Sequence, residues 1–168
     1  MTIRSRRHCW IILKQGTIEM KEYTYKQLKD KQQTEINKFP MGAAFNDNQF
    51  YEMMQKWGLT VNDTDKIVSI CGGCFIRKSD KAAFDEMLER HRREIKDAVA
   101  ADTTGDGFIY GMFLYELANH GYCITCDLTD TLCALGLTVD EINENERLLH
   151  GLKKACKSYM RSIKDIKE

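Results

Sequence analysis

Apolar positions recur at helical spacing over most of this chain and gather in short β-like runs elsewhere. From Tyr23 to Asn37, Tyr25, Leu28, the Lys29 stem and Ile36 make a patchy apolar side, and Thr24 can cap the helix they predict. Pro40 disfavours helix at Phe39, so that helix ends before it. Met41 to Phe45 is small and apolar and fits a strand. Asn46 then caps a helix carrying Phe50, Met53, Met54 and Trp57, which Gly58 stops.

Ile67–Cys71 and Cys74–Arg77 flank Gly72-Gly73, the chemistry of a two-residue hairpin. Ser79 or Asp80 caps the next helix, where Phe84, Met87, Leu88, His91, Ile95, Ala98 and Val99 recur at helical spacing and His91 reads as a packed core residue. It ends before Asp102. Phe108 to Asn119 reads as a helix ended by Gly121, Tyr122 to Cys126 as a strand, and Asp127 or Thr129 as the start of a short helix closing at Gly136. Thr138 opens a last helical region running to about Ile166, with Glu141 completing a capping box.

These elements predict an α+β chain: a mostly helical single domain whose small antiparallel or mixed β-sheet joins the hairpin to the Tyr122–Cys126 strand. The length of 168 residues and an apolar fraction of 43% suit one domain with a real core. Basic and acidic residues balance at 25 each, so net charge does not mark a nucleic-acid binder. The balance is uneven, however. Residues 1–19 hold Arg4, Arg6, Arg7 and Lys14 against Glu19, which leaves the remainder with a net charge of −3. Cys9-Trp-Ile-Ile-Leu13 is too short for a signal peptide or a bilayer span. Residues 1–19 are expected to be a non-native or disordered N-terminal extension, with a genuine N-terminal strand as the alternative, and 20–168 the domain. Seven cysteines without an export signal point to free thiols and a cytoplasmic location.

Two Cys-x-x-Cys pairs offer the strongest inorganic chemistry. Cys71, Cys74, Cys123 and Cys126 could complete one tetrahedral zinc site if their β-like segments met in one sheet, against the plainer reading of four small apolar residues. A redox role for Cys71/Cys74 lacks the helix start that thioredoxin chemistry uses. Asp102-Thr-Thr-Gly-Asp-Gly107 resembles a calcium loop, but Phe113 stands where a bidentate Glu is required. No nucleophile–base spacing or phosphate loop is present, which predicts a protein without catalytic residues or a committed cofactor. On the last helix, Lys153, Lys157, Arg161 and Lys164 form a basic side that could follow nucleic-acid phosphates or simply be solvated. Asp140, Glu141, Glu144 and Glu146 form an acidic counterpart suited to a protein partner.

Several segments are distinctive: Phe39-Pro40, Phe45-Asn-Asp-Asn-Gln-Phe50, Gly72-Gly-Cys-Phe-Ile-Arg-Lys78 and Tyr115-Glu-Leu-Ala-Asn-His-Gly-Tyr-Cys-Ile-Thr125, extended by Asp127–Leu132 and Leu149–Lys154. With them the chain resembles a family of small uncharacterised proteins from gut-associated Gram-positive bacteria and their phages, over about Tyr23 to Lys157. Mobile-element proteins of this size and acidity are similar to anti-CRISPR proteins. The resemblance implies a non-enzymatic interaction protein that binds a host protein, specifically a type II CRISPR effector nuclease with its guide RNA. A small zinc- or nucleic-acid-binding regulator is the alternative, and a thiol-dependent enzyme the third reading.

Overall fold

The computed structural model describes residues 24–165. The first helix, α1 (Tyr25–Lys38), begins at a capping box: Thr24 accepts from the Gln27 backbone N–H, and the Gln27 side chain accepts from the Thr24 N–H. It buries Tyr25, Leu28 and Gln32, one turn apart along a single face. Strand β1 (Met41–Ala43) follows Pro40, and α2 (Asp47–Lys56) is capped by Asn46, whose side chain accepts from the Gln49 N–H. The hairpin forms as β2 (Ile67–Cys71) and β3 (Cys74–Arg77). The sheet is antiparallel with β3 between β1 and β2, and a bulge interrupts β2 between Ser69 and Cys71.

The sheet is covered on both faces. Ala44, Met53 and Met54 cluster with Phe50, Trp57 and Phe75 on the side of α2. Ile76 points the other way, as strand alternation requires, and packs with Phe84 and Met87 of α3 (Lys81–Ala101) and with Phe39 at the end of α1. A 3₁₀ turn over Lys78–Asp80 leads into α3. Asp80 stands at the N-cap position of that helix, as expected, but its side chain makes no capping hydrogen bond; the carboxylate is held by Arg77 Nε at 2.9 Å instead.

The larger core is helical. It gathers α1, α4 (Phe108–Asn119), α5 (Tyr122–Thr125), α6 (Thr129–Leu135), α7 (Val139–Glu144) and α8 (Glu146–Asp165). Ile109, Phe113 and Leu117 of α4 and Ala155 of α8 are fully buried there. The two helices approach so closely that a Cβ on Gly151 would stand 2.6 Å from Ile109 Cγ2, and one on Gly105 would collide with the Arg147 carbonyl. Only glycine fits either position.

Two expectations are corrected. Tyr122–Cys126 is not a strand but one helical turn, bracketed by left-handed Gly121 (φ 63) and Cys126 (φ 54); β1 is the third strand instead. A five-residue apolar run carries no periodicity that separates strand from helix, and the flanking left-handed residues decide it. The last helical region is also two helices. Asn145 leaves helical geometry (φ −118, ψ 102), and its side chain accepts from the N–H groups of Arg147 and Leu148, capping α8. The expected extension over residues 1–19 lies outside the described residues.

Candidate functional site

Two salt-bridged clusters fix the helices before any surface is considered. Between α1 and α3, Glu35 accepts from Arg90 at 2.5 Å and from the buried His91 Nε2 at 2.9 Å, and Lys31 and Gln32 reach Glu94 at 2.7 and 3.1 Å. The Arg90 hydrogen bond, and then that of His91, hold the Glu35 carboxyl down to about 2. Inside the helical core, Tyr25 donates to the buried Glu116 at 2.5 Å, with Lys29 at 3.8 Å and His120 at 3.5 Å. Burial, reinforced by the Glu116 hydrogen bond, raises the Tyr25 phenol. These pairs close on one another within the fold. They are clamps between helices.

The loop over Asp102–Gly107 is explained in the same way. The Asp102 carboxylate accepts from the backbone N–H groups of Thr104, Gly105, Gly107 and Ile109, so it caps α4 across the turn. Partial burial works against its charged form, yet these bonds hold its carboxyl below the ordinary range. Asp106 is taken by Lys154 at 2.6 Å and His150 at 2.9 Å on α8. Both carboxylates that the calcium-loop likeness needed are already engaged by the chain itself.

The cysteines divide into two environments. Cys71 and Cys74 face each other across the hairpin turn. Cys123, on α5, accepts from the Tyr159 hydroxyl at 3.6 Å, and Cys126 is exposed at the left-handed end of that turn. Because the second pair sits on a helical turn, the single-sheet arrangement required for four-cysteine zinc binding does not form. Among the described residues, no three His, Cys, Asp or Glu side chains gather into a metal site.

The charged surfaces lie on neighbouring helices. Helix α7 buries only Ile142 and exposes Val139, Asp140 and Glu144, and Glu146 opens α8 exposed as well. Glu141 differs: its carboxylate closes the capping box on the Thr138 N–H at 2.8 Å, and that bond lowers its carboxyl. On α8, Lys153, Lys157 and Arg161 are exposed, and Lys164 lies in the last described turn. Lys154 was not singled out from sequence; it pairs with Asp106 and rests 5.0 Å over the Tyr110 ring.

Sequence reasoning also missed a groove between β1 and α2. It has a volume of about 370 Å³ and is lined by Met41, Gly42, Phe45, Met53, Lys56 and Trp57 among others. Of this lining Phe45 is 72% exposed, and Tyr51 on α2 is 51% exposed. The apolar run from Met41 to Phe45 fits a strand, but β1 stops at Ala43 and leaves Phe45 beyond the sheet; Tyr51, on α2, is not singled out by the sequence pattern.

No described helix is long and apolar enough to cross a membrane. Comparison with the curated proteins and with the solved structures finds no match to this chain. One family model matches residues 24–158, from the Thr24 helix cap to the middle of α8. The chain belongs to that family, a family of unknown function (DUF7659).

Proposed function

We propose that the protein is a non-enzymatic interaction protein of a phage or mobile element, and that its target is a type II CRISPR effector nuclease, which it inhibits by occupying a phosphate-binding surface. The observation that carries this reading is α7, a short helix held at its N-terminus by the Thr138–Glu141 capping box, anchored by the buried Ile142, and exposing Val139, Asp140 and Glu144 with Glu146 just beyond. Carboxylates on an anchored helix beside an exposed apolar side chain suit a protein site that normally holds nucleic-acid phosphate. The carboxylates of the helix clamps and of Asp102 are engaged within the fold, whereas those of Asp140, Glu144 and Glu146 face outward on exposed residues. The test is a DNA cleavage assay in which this protein is titrated against preassembled effector and guide RNA. Inhibition should saturate near one molecule per nuclease without turnover. Unaltered cleavage at large molar excess across several related effectors would sink the nuclease claim.

A second reading rests on α8, where Lys153, Lys157 and Arg161 share no ion pair with any described residue. Such a face could track phosphates directly. Salt-dependent DNA or RNA binding that is lost in a Lys153→Glu/Lys157→Glu variant would favour a nucleic-acid-binding regulator.

A further inference from the structure

The β2–β3 turn places two thiols opposite each other. Cys71 closes β2 and Cys74 opens β3, and the two are direct cross-strand partners over Gly72-Gly73. Residues directly opposite in an antiparallel pair hold their Cα atoms about 4.5–5.5 Å apart. That separation lies inside the range a disulfide spans, about 4.4–6.8 Å. The turn is held in this form from outside the hairpin: Gly73 has φ +83, a Cβ there would stand 2.7 Å from Phe45 Cδ1, and the Gly73 carbonyl accepts from the Ala44 N–H at 2.8 Å. Cys71 is exposed and Cys74 half-buried. The Cys74 thiol is pushed up by its hydrogen-bonding contact with Cys71, so it keeps its proton toward the more accessible sulfur.

We propose that Cys71 and Cys74 are a thiol–disulfide exchange site that closes reversibly on reaction with a small-molecule disulfide such as oxidised glutathione. The Cys71 thiolate attacks one sulfur of the glutathione disulfide. The S–S bond breaks and one glutathione leaves as thiolate. Cys74, giving up its proton, attacks the Cys71 sulfur of the mixed disulfide and expels the second glutathione. Two cysteine thiols are oxidised to one disulfide, one glutathione disulfide is reduced to two thiols, and the two cysteine protons end on the two glutathiones. An exposed disulfide closing so short a loop gains little chain-entropy stabilisation, which keeps it reducible.

Trypsin cuts after Lys66 and Arg77, so both cysteines fall in one peptide, Ile67–Arg77. The full chain is equilibrated with mixtures of reduced and oxidised glutathione, alkylated, digested and weighed by mass spectrometry, folded and in urea. In the folded chain this peptide should lose two hydrogens, with an equilibrium constant at least about tenfold above that of the urea-unfolded chain because the turn pre-positions the sulfurs. A Cys74→Ser variant should instead trap one glutathione on Cys71. Two glutathiones on the wild-type peptide, two free thiols where the unfolded chain is oxidised, or an equilibrium no better than in urea would each overturn the proposal.

Discussion

The helical core and the sheet bury their side chains on different scales. Around α4 and α8, ten buried residues merge into one cluster, and that cluster also encloses the ionisable Tyr25–Glu116 pair. The sheet serves two separate clusters with three buried residues each, one per face, and leaves Phe45 and Tyr51 exposed at its margin. A single large cluster supports cooperative stability, whereas thin clusters under short strands open first. Stability is thus concentrated in α4 and α8, while the sheet and α2 offer aromatic surface at little cost to the fold. The charged helix α7 borrows rigidity from the core through Ile142 alone.

The sharpest break of that contrast is Phe113→Ala, which removes the largest fully buried side chain of the α4–α8 cluster. It should lower unfolding free energy by about 3–5 kcal/mol in a denaturant titration. A loss below about 1 kcal/mol would show that the helical cluster does not dominate.

Acid should act at the α1–α3 clamp that joins the two regions. The Arg90 and His91 contacts lower the folded Glu35 carboxyl from its ordinary value to about 2. A depressed folded value contributes stability that is present above the unfolded value and is lost as pH falls toward about 2. Discounted for its partial exposure, that contribution is on the order of 2 kcal/mol. Glu35→Gln should therefore flatten the fall in stability over that window. An acid titration as steep as the wild type would assign the loss to other carboxylates.

A smaller change should run in the opposite direction. Thr131 of α6 is fully buried, and its hydroxyl has no hydrogen-bond partner among the described residues. Thr131→Val keeps the shape and removes the orphaned group, so stability should rise by about 1 kcal/mol. A lower melting temperature would mean that the hydroxyl has a partner, such as a bound water. The smallest effect is expected at the sheet margin, where Phe45→Ser should move unfolding free energy by no more than about 0.5 kcal/mol. A larger loss would make Phe45 part of the core.

Local chemistry made much of this fold legible. Thr24, Asn46 and Thr138 announce their helices because a cap is satisfied within three residues, and Gly72-Gly73 announces its hairpin for the same reason. Tyr122–Cys126 misleads because five residues are too few to show a period. Asn145 hides because the residues on both sides are good helix formers, and its cap shows only in its backbone geometry. Tyr25 and Glu116 stand 91 residues apart and Lys154 and Asp106 stand 48 apart, so no spacing rule brings either pair together. The acidic and basic surfaces could be read as charge patterns. Which carboxylate was already spent, Glu141 on its own cap, needed the structure.

The most direct test of the functional account is a comparison of two proteins in the nuclease cleavage assay: the wild type and an Asp140→Lys/Glu144→Lys variant. Both replaced side chains are exposed, so the variant should melt within a few degrees of the wild type. If α7 is the inhibitory surface, the wild type should block cleavage at about one molecule per nuclease, and the folded variant should need at least about tenfold more. Equal inhibition by the two proteins, or none by either, would contradict it.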